Sequence, residues 1–189
     1  VDFDLIEREI TESKQILIMV PEISLTPQLE NRFKERFGLE IKIWHSKITP
    51  KRRKEIWHKC YEGEPLVVIG ARSSLFLPFK NLGLTVIDEE HDSSYKQEDI
   101  IRYQARDLAV VKANYEKSKL ILTSATPSLE TINNINNKKY HHVFLSNQYS
   151  GLHLPQISLV DLSKHKLETN QLISILLKNA IENLSLIHT

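Results

Sequence analysis

Five short runs rich in Ile, Leu and Val set the limits on what this chain can fold into. They are ILIMV at 16–20, IKIWH at 41–45, LVVIG at 66–70, LTVID at 84–88 and LILTS at 120–124. Each is too short for a typical helix and is bounded by turn residues, the pattern of a strand buried on both faces. Amphipathic stretches lie between most of them. Leu25, Leu29, Phe33 and Phe37 recur every four residues and stop at Gly38. Ile56, Trp57, Cys60 and Tyr61 form a second stripe, and Tyr103 to Lys117 a third helix. Strands alternating with helices predict an α/β fold, a parallel sheet with helices on both faces.

Ligands in such sheets gather at the carboxyl ends of the strands. The segments that directly follow strands here are PEISLTP, GARSS, DEEHD and SATPS, so the polar chemistry is expected along one edge. Three Thr-Pro pairs, at 26–27, 49–50 and 126–127, are expected to open helices: Thr caps free amides and Pro gives up no needed donor. After about Tyr140 the character changes to a predicted strand, a connector and another strand. Leu172, Ile173, Leu176, Ala180, Ile181 and Leu184 then mark a last amphipathic helix.

Asp88, at the end of a buried strand, has the chemistry to hold Mg²⁺ against nucleotide phosphates, and Glu89 can orient or deprotonate a water. An acidic loop after a strand is the plainer alternative. Ser124 and Thr126 place hydroxyls at the next strand end, within prospective reach of His91. The segment holding Thr26, and that holding Arg72, Ser73 and Ser74, suit contact with a phosphate backbone through amides, charge and hydroxyls, or serve as turn and cap. Tyr95, Lys96, Arg102, Tyr103 and Arg106 mix rings and cations as single-strand binding requires; a surface loop with one core tyrosine is the rival reading.

Composition narrows the partners. Net charge is +1, so no global basic field announces nucleic acid, and the cluster Lys51, Arg52, Arg53 and Lys54 reads as a solvated helix face. The single cysteine, Cys60, excludes an internal disulfide framework and a cysteine-rich zinc site, and suits a reducing cytoplasm. No apolar run approaches the ~20 residues needed to span a bilayer. The acidic start, VDFDLIERE, lacks a signal-peptide layout and reads as mid-helix, as in a piece of a longer protein. His141 and His142 are adjacent, without metal-ligand spacing.

Taken in order, VPEISLTPQ, HSKITPKRRKEIW, VVIGARSSLFLPFKNLGLTVIDEEHDSSYKQED, RYQARDLAV and LTSATPSLET resemble the first motor lobe of superfamily 2 helicases. Among these, the bacterial primosomal replication-restart helicases are the most similar, over roughly residues 3–165; RecQ-like helicases match less well. The resemblance implies an incomplete RecA-like (P-loop NTPase-type) sheet. Residues 1–145 would be a partial ATP-binding lobe, and 146–189 a connector, strand and helix leading towards a zinc module and second lobe. It implies an ATP- and Mg²⁺-dependent motor moving 3′ to 5′ on single-stranded DNA. Such a motor restarts stalled forks with other primosome proteins, in the cytoplasm and away from membranes. By this likeness Asp88 holds Mg²⁺, Glu89 activates water, and Glu90, His91, Ser124, Ala125 and Thr126 couple the nucleotide and DNA sites. The loop from Asp92 to Tyr103 senses DNA. Thr26, Arg72, Ser73, Ser74, Tyr95, Lys96, Arg102 and Tyr103 contact it.

The family's P-loop, G-x-x-x-x-G-K-[ST], occurs nowhere in these 189 residues, nor do the cysteines of its zinc module. The expectation is therefore a fragment that does not hydrolyse ATP alone, with an open sheet edge where the P-loop strand would lie. The alternative is a catalytically inactive remnant of a split helicase gene that at most binds DNA or a partner. A metal nuclease using Asp88, Glu89 and His91 directly is a third reading.

Overall fold

The computed structural model describes residues 3–21, 31, 34–35, 41–99, 101–145, 159–163 and 173–185. The expected helix on Leu25, Leu29, Phe33 and Phe37, and the Thr26-Pro27 cap, lie outside them. The chain divides into two units, residues 1–142 and 143–189.

The first unit is built on five parallel strands: β1 (Gln15–Met19), β2 (Ile41–Trp44), β3 (Val67–Gly70), β4 (Leu82–Ile87) and β7 (Lys119–Leu122), in the order β2-β3-β1-β4-β7. The five strands read before Tyr140 are all present, with ends shifted by up to two residues. β1 is central and every residue of it is buried, which is why its sequence lacks polar alternation. Each fully buried Ile or Leu there stabilises the fold by about 1.5–3 kcal/mol relative to exposure.

Alternate residues of the strands feed two cores. Ile16, Ile18, Val67, Ile69, Leu84 and Val86 pack with Ile6 of helix α1 (Phe3–Thr11). Leu17, Met19, Val68 and Ile87 pack with Ile56 and Cys60 of helix α2 (Pro50–Glu62) and with Ala105 and Ala109 of helix α3 (Ala105–Glu116). Helices therefore cover both faces, as expected for this α/β class.

Local chemistry sets the helix ends. Thr49 caps α2, its side chain accepting from the Arg52 amide, with Pro50 in the first turn; Gly63 closes it at φ 81°, a conformation that favours glycine. The stripe on α2 is only half realised. Ile56 and Cys60 are buried, whereas Trp57 and Tyr61 stay exposed and stack on each other 5.4 Å apart. Stacking shields part of each ring without a core. Lys51 to Lys54 are exposed, as a solvated face requires.

Thr126-Pro127 does not open a helix. Helix α4 (Leu129–Asn136) starts later, capped by Ser128, whose side chain accepts from the Thr131 amide. The reason lies in the site described below, where the Thr126 hydroxyl faces His91. The predicted helix at 103–117 begins at Ala105, because Tyr103–Gln104 (β6) forms a two-stranded antiparallel hairpin with Lys96–Gln97 (β5).

In the second unit, the described residues 143–145 and 159–163 carry no strand, nor do 141 and 142 before it. Val143, Phe144 and Leu145 are apolar but exposed, and β-rich composition yields a strand only against a partner edge. Helix α5 (Ile175–Ser185) is present where the last amphipathic stretch was read.

Candidate functional site

The ends of β4 and β7 bring the acidic loop and the hydroxyl loop together. Backbone bonds fix the pair: the Asp88 amide donates to Met19 O at 2.9 Å, Thr123 to Ile87 O at 2.9 Å and Glu90 to Thr123 O at 3.0 Å. The side chains then meet. Thr123 Oγ1 donates to Asp88 Oδ1 at 2.6 Å. His91 Nδ1 lies 2.6 Å from Ser124 Oγ, and His91 Nε2 lies 3.3 Å from Thr126 Oγ1. Ser124 Oγ also accepts from the Thr126 amide at 3.0 Å. Ala125 is exposed between them.

The three consecutive carboxylates point in different directions. Asp88 is half-buried, Glu89 exposed and Glu90 buried. The divergence comes from Glu89, which sits at φ 48°, a left-handed conformation unusual for a non-glycine residue. The Asp92 amide closes the turn on Glu89 O at 2.8 Å. Among the described residues, Asp88 Oδ2 has no hydrogen-bond partner, so one oxygen of that carboxylate is available. No group of three or more His, Cys, Asp or Glu is arranged to hold a metal among the described residues, and Asp88, Glu89 and His91 do not form one. The donor set is one carboxylate at a strand end. That suits Mg²⁺, whose remaining positions are filled by phosphate and water. Cys60, the sole cysteine, is buried in the core and offers no zinc site.

Several residues expected at a DNA surface are engaged by other parts of the protein: Tyr95 and Ser74 are buried, Arg72 is half-buried and Ser73 stays exposed. Tyr95 is fully buried and its hydroxyl donates to Asp88 O at 2.7 Å. Burial, reinforced by the Asp88, Asp92 and Glu89 charges, pushes the phenol pKa well up. Its expected role in base stacking is corrected on this ground: a ring with no exposed face cannot stack on a base. Arg72 Nη1 donates to Ser94 O at 3.2 Å and to Lys96 O at 2.7 Å, clamping the short turn that carries Tyr95. Ser73 Oγ accepts from Trp44 Nε1 at 3.2 Å, and buried Ser74 donates to Ala71 O at 2.6 Å. A Cβ at Gly70 would stand 2.7 Å from Ser74 Cβ and 2.8 Å from Trp44 O, so only glycine lets this turn close. Lys96 is exposed and pairs with Glu98 at 2.7 Å; Arg102 is exposed. Thr26 lies outside the described residues.

Arg106 belongs to the same correction. It is buried, not presented to a strand of DNA, and its Nη1 donates to Glu90 Oε2 at 3.0 Å and to Ser128 Oγ at 2.6 Å. The Ser128 amide donates to Glu90 Oε1 at 2.7 Å. Burial alone raises the Glu90 carboxyl pKa, but bonds from Ser128, Arg106 and Thr131 outweigh it and hold the group below its ordinary value.

Thr123, Ser128 and Phe76 carried no role in the sequence reading. Thr123 is the first letter of TSATPS, and its contact with Asp88 needs only the parallel pairing of β4 and β7. Phe76 is 59% exposed and packs edge-on against Tyr103, ring centres 5.2 Å apart. Nothing in the local sequence distinguishes it from a core phenylalanine.

With this geometry in place, comparison with known proteins decides the family. The model of the DEAD/DEAH box helicase family matches residues 3–135, more than half of the chain. The chain belongs to that family. Its acidic loop, Asp88 to His91, and its hydroxyl loop, Ser124 to Thr126, fall inside the matched helicase region. Among curated relatives, the replication restart protein PriA of Rickettsia conorii is 52% identical over 180 residues, 95% of this chain and 28% of that protein. PriA of Haemophilus influenzae is 46% identical over 86% of this chain and 22% of that protein. PriA of Bacillus subtilis is 41% identical over 83% and 20%. The chain thus spans about a quarter of these relatives' length. A structure of RecG bound to a three-way DNA junction aligns over 71% of this chain and 22% of that one, with 21% identity and a TM-score of 0.39. The five-stranded parallel sheet and the family together make the fold α/β and RecA-like. No described helix is long and apolar enough to cross a membrane.

Proposed function

We propose that this chain is motor-lobe sequence of a replication-restart DNA helicase, in which ATP hydrolysis drives movement 3′ to 5′ along single-stranded DNA at stalled forks. The observation that carries the reading is the meeting of two strand ends: Asp88 with Thr123, and His91 with Ser124 and Thr126. Mg²⁺ with ATP supplies the electrophilic phosphoryl group when bound. Asp88, one of whose oxygens is bonded by Thr123, would hold the ion. Glu89, turned to solvent by its left-handed backbone, accepts a proton from the attacking water. His91 links the acidic loop to Ser124 and Thr126, so a change at the nucleotide reaches the hydroxyl loop. Exposed Lys96, Arg102 and Phe76, with half-buried Tyr103 beside Phe76, form the side that single-stranded DNA meets, with other primosome proteins and the cytoplasm as the setting.

The test is a chimera in which this chain replaces the matching stretch of the R. conorii relative. DNA-stimulated ATP hydrolysis is expected, falling roughly 10²–10⁴-fold in Glu89→Gln. A chimera that folds and binds DNA yet turns over equally well as Glu89→Gln overturns the assignment. The 189 residues hold no P-loop motif, so the chain by itself is expected to show no turnover. If it also fails to bind single-stranded DNA, the inactive-remnant reading is preferred. DNA cleavage with Mg²⁺ and no nucleotide would instead identify a nuclease.

A further inference from the structure

Glu90 stands apart from its two acidic neighbours: its side chain is 1% exposed, and its partner Arg106 is 6% exposed. Four segments converge on this pair. Glu90 belongs to the acidic loop, and its amide is bonded to Thr123 O at the end of β7. Arg106 lies in the first turn of α3, two residues after the β5–β6 hairpin. Ser128 caps α4, two residues after the hydroxyl loop. Both carboxylate oxygens are used: Oε1 accepts from the Ser128 amide at 2.7 Å, Oε2 from Ser128 Oγ at 3.0 Å and from Arg106 at 3.0 Å. Arg106 is oriented in turn by Asp107, through Nε at 2.8 Å, with Glu130 3.9 Å from its Nη1. An isolated buried carboxylate is costly, whereas one with both oxygens bonded is held in place.

We infer that Glu90 and Arg106 are a positioning pair, a joint through which displacement of the β5–β6 hairpin reaches the Ser124–Thr126 loop and His91. Glu90 is not a ligand of the nucleotide site; it acts through Ser128. The hairpin cannot tilt α3 without moving Arg106, and Arg106 cannot move without releasing either Glu90 or Ser128. Release of Ser128 frees the start of α4, and with it the loop that holds the His91 ring. The functional meaning, a DNA signal delivered to the nucleotide site, rests on the helicase reading above, whereas the joint itself does not.

The experiment uses the 189-residue chain without nucleotide or DNA, so that it fails or succeeds independently of that reading. Amide hydrogen exchange and the His91 ring resonances at fixed pH are compared for the wild type, Glu90→Gln, Arg106→Met and the double variant. Each single change is expected to speed exchange at Ser128 about fivefold, the scale of losing a helix cap. Each is also expected to move the His91 ring signals, with the double variant no worse than the worse single one, as coupled residues behave. Ser128→Ala keeps both charges and protects against loss of folding in the charge variants. It should move the His91 signals in the same direction. Additive effects, or a folded Ser128→Ala with unchanged His91 signals, overturn the proposal. A purely structural role would lower the melting temperature and leave the ring signals of the folded state in place.

Discussion

At the scale of single residues, burial decides which polar groups do chemistry and which hold the frame. Cys60 shows the plain case. Its thiol is fully buried, and burial pushes its pKa up to about 12, against a smaller opposing pull from Lys112. The thiolate is the reactive form, so at pH 8 the native chain is expected to resist a disulfide reagent that modifies it within minutes in denaturant. Rapid native-state labelling would show that the α2 core opens locally. Tyr95 is the subtler case. Its ring fills the core below β4 while its hydroxyl holds the Asp88 carbonyl at 2.7 Å. Tyr95→Phe keeps the ring and leaves that carbonyl short of a donor, an expected loss of about 1–3 kcal/mol in a urea melt. A loss below the error of the melt would mean that water replaces the hydroxyl. The sequence left Tyr95 open between a base-stacking ring and the one core tyrosine of a surface loop, because its neighbours, Ser93, Ser94 and Lys96, are polar; the core reading is the one realised. The clamp from Arg72 across the turn, the bond to Asp88 O and the apolar cluster together hold the ring inward.

At the scale of elements, capping shows where local signals mislead. Thr49-Pro50 opens α2 as its residues promise, and Thr126-Pro127 does not open α4, because tertiary contacts claim the second threonine for His91. Ser128→Ala is therefore expected to cost about 0.5–2 kcal/mol of stability, and Thr126→Ala much less, in matched thermal melts. Equal losses would restore Thr126 as the cap. The five strands of the parallel sheet were legible, since a run of Ile and Val with no polar alternation has few other uses in a chain of this length; the β5–β6 hairpin offers no such run and was missed, and the strand read after Tyr140 is not formed at 141–145. The burial of Arg106 was partly legible. Ala105, Ala109 and Ala113 mark the inward stripe of α3 at four-residue spacing, and Arg106 borders it. Its carboxylate partner, sixteen residues earlier in a loop, left no local trace. That partner gives a pH signature. Glu90 is held below its ordinary pKa, so its contribution to stability is full above the unfolded carboxyl value near 4.5 and is lost as pH falls through the folded value. Glu90→Gln should flatten this acid limb and, by weakening the bonds to Arg106 and Ser128 while Asp107 still pairs with the guanidinium, cost about 1–3 kcal/mol at neutral pH. An unchanged acid limb would place the proton-linked group elsewhere.

At the scale of the whole molecule, the edge of the sheet matters most. β7 pairs with β4 on one side only among the described residues, although Leu120, Ile121 and Leu122 are partly buried and apolar. Lys119 guards one end through its ion pair with Glu9. Open edges with apolar side chains recruit other strands. Sizing chromatography from micromolar to near-millimolar concentration is expected to show growing association, and a monomer across that range would show the edge to be protected. The site was legible as a convergence, with GARSS, DEEHD and SATPS each following a strand among the described residues, and illegible in its division of labour. That division is written in the backbone at Glu89. One left-handed residue sends three adjacent acidic letters to solvent, to the strand end and to the interior. Random variants of the chimera, scored once for soluble yield and once for turnover, should therefore separate neighbours that a genetic code treats alike. Position 90 would be depleted in the first screen, and 89 only in the second.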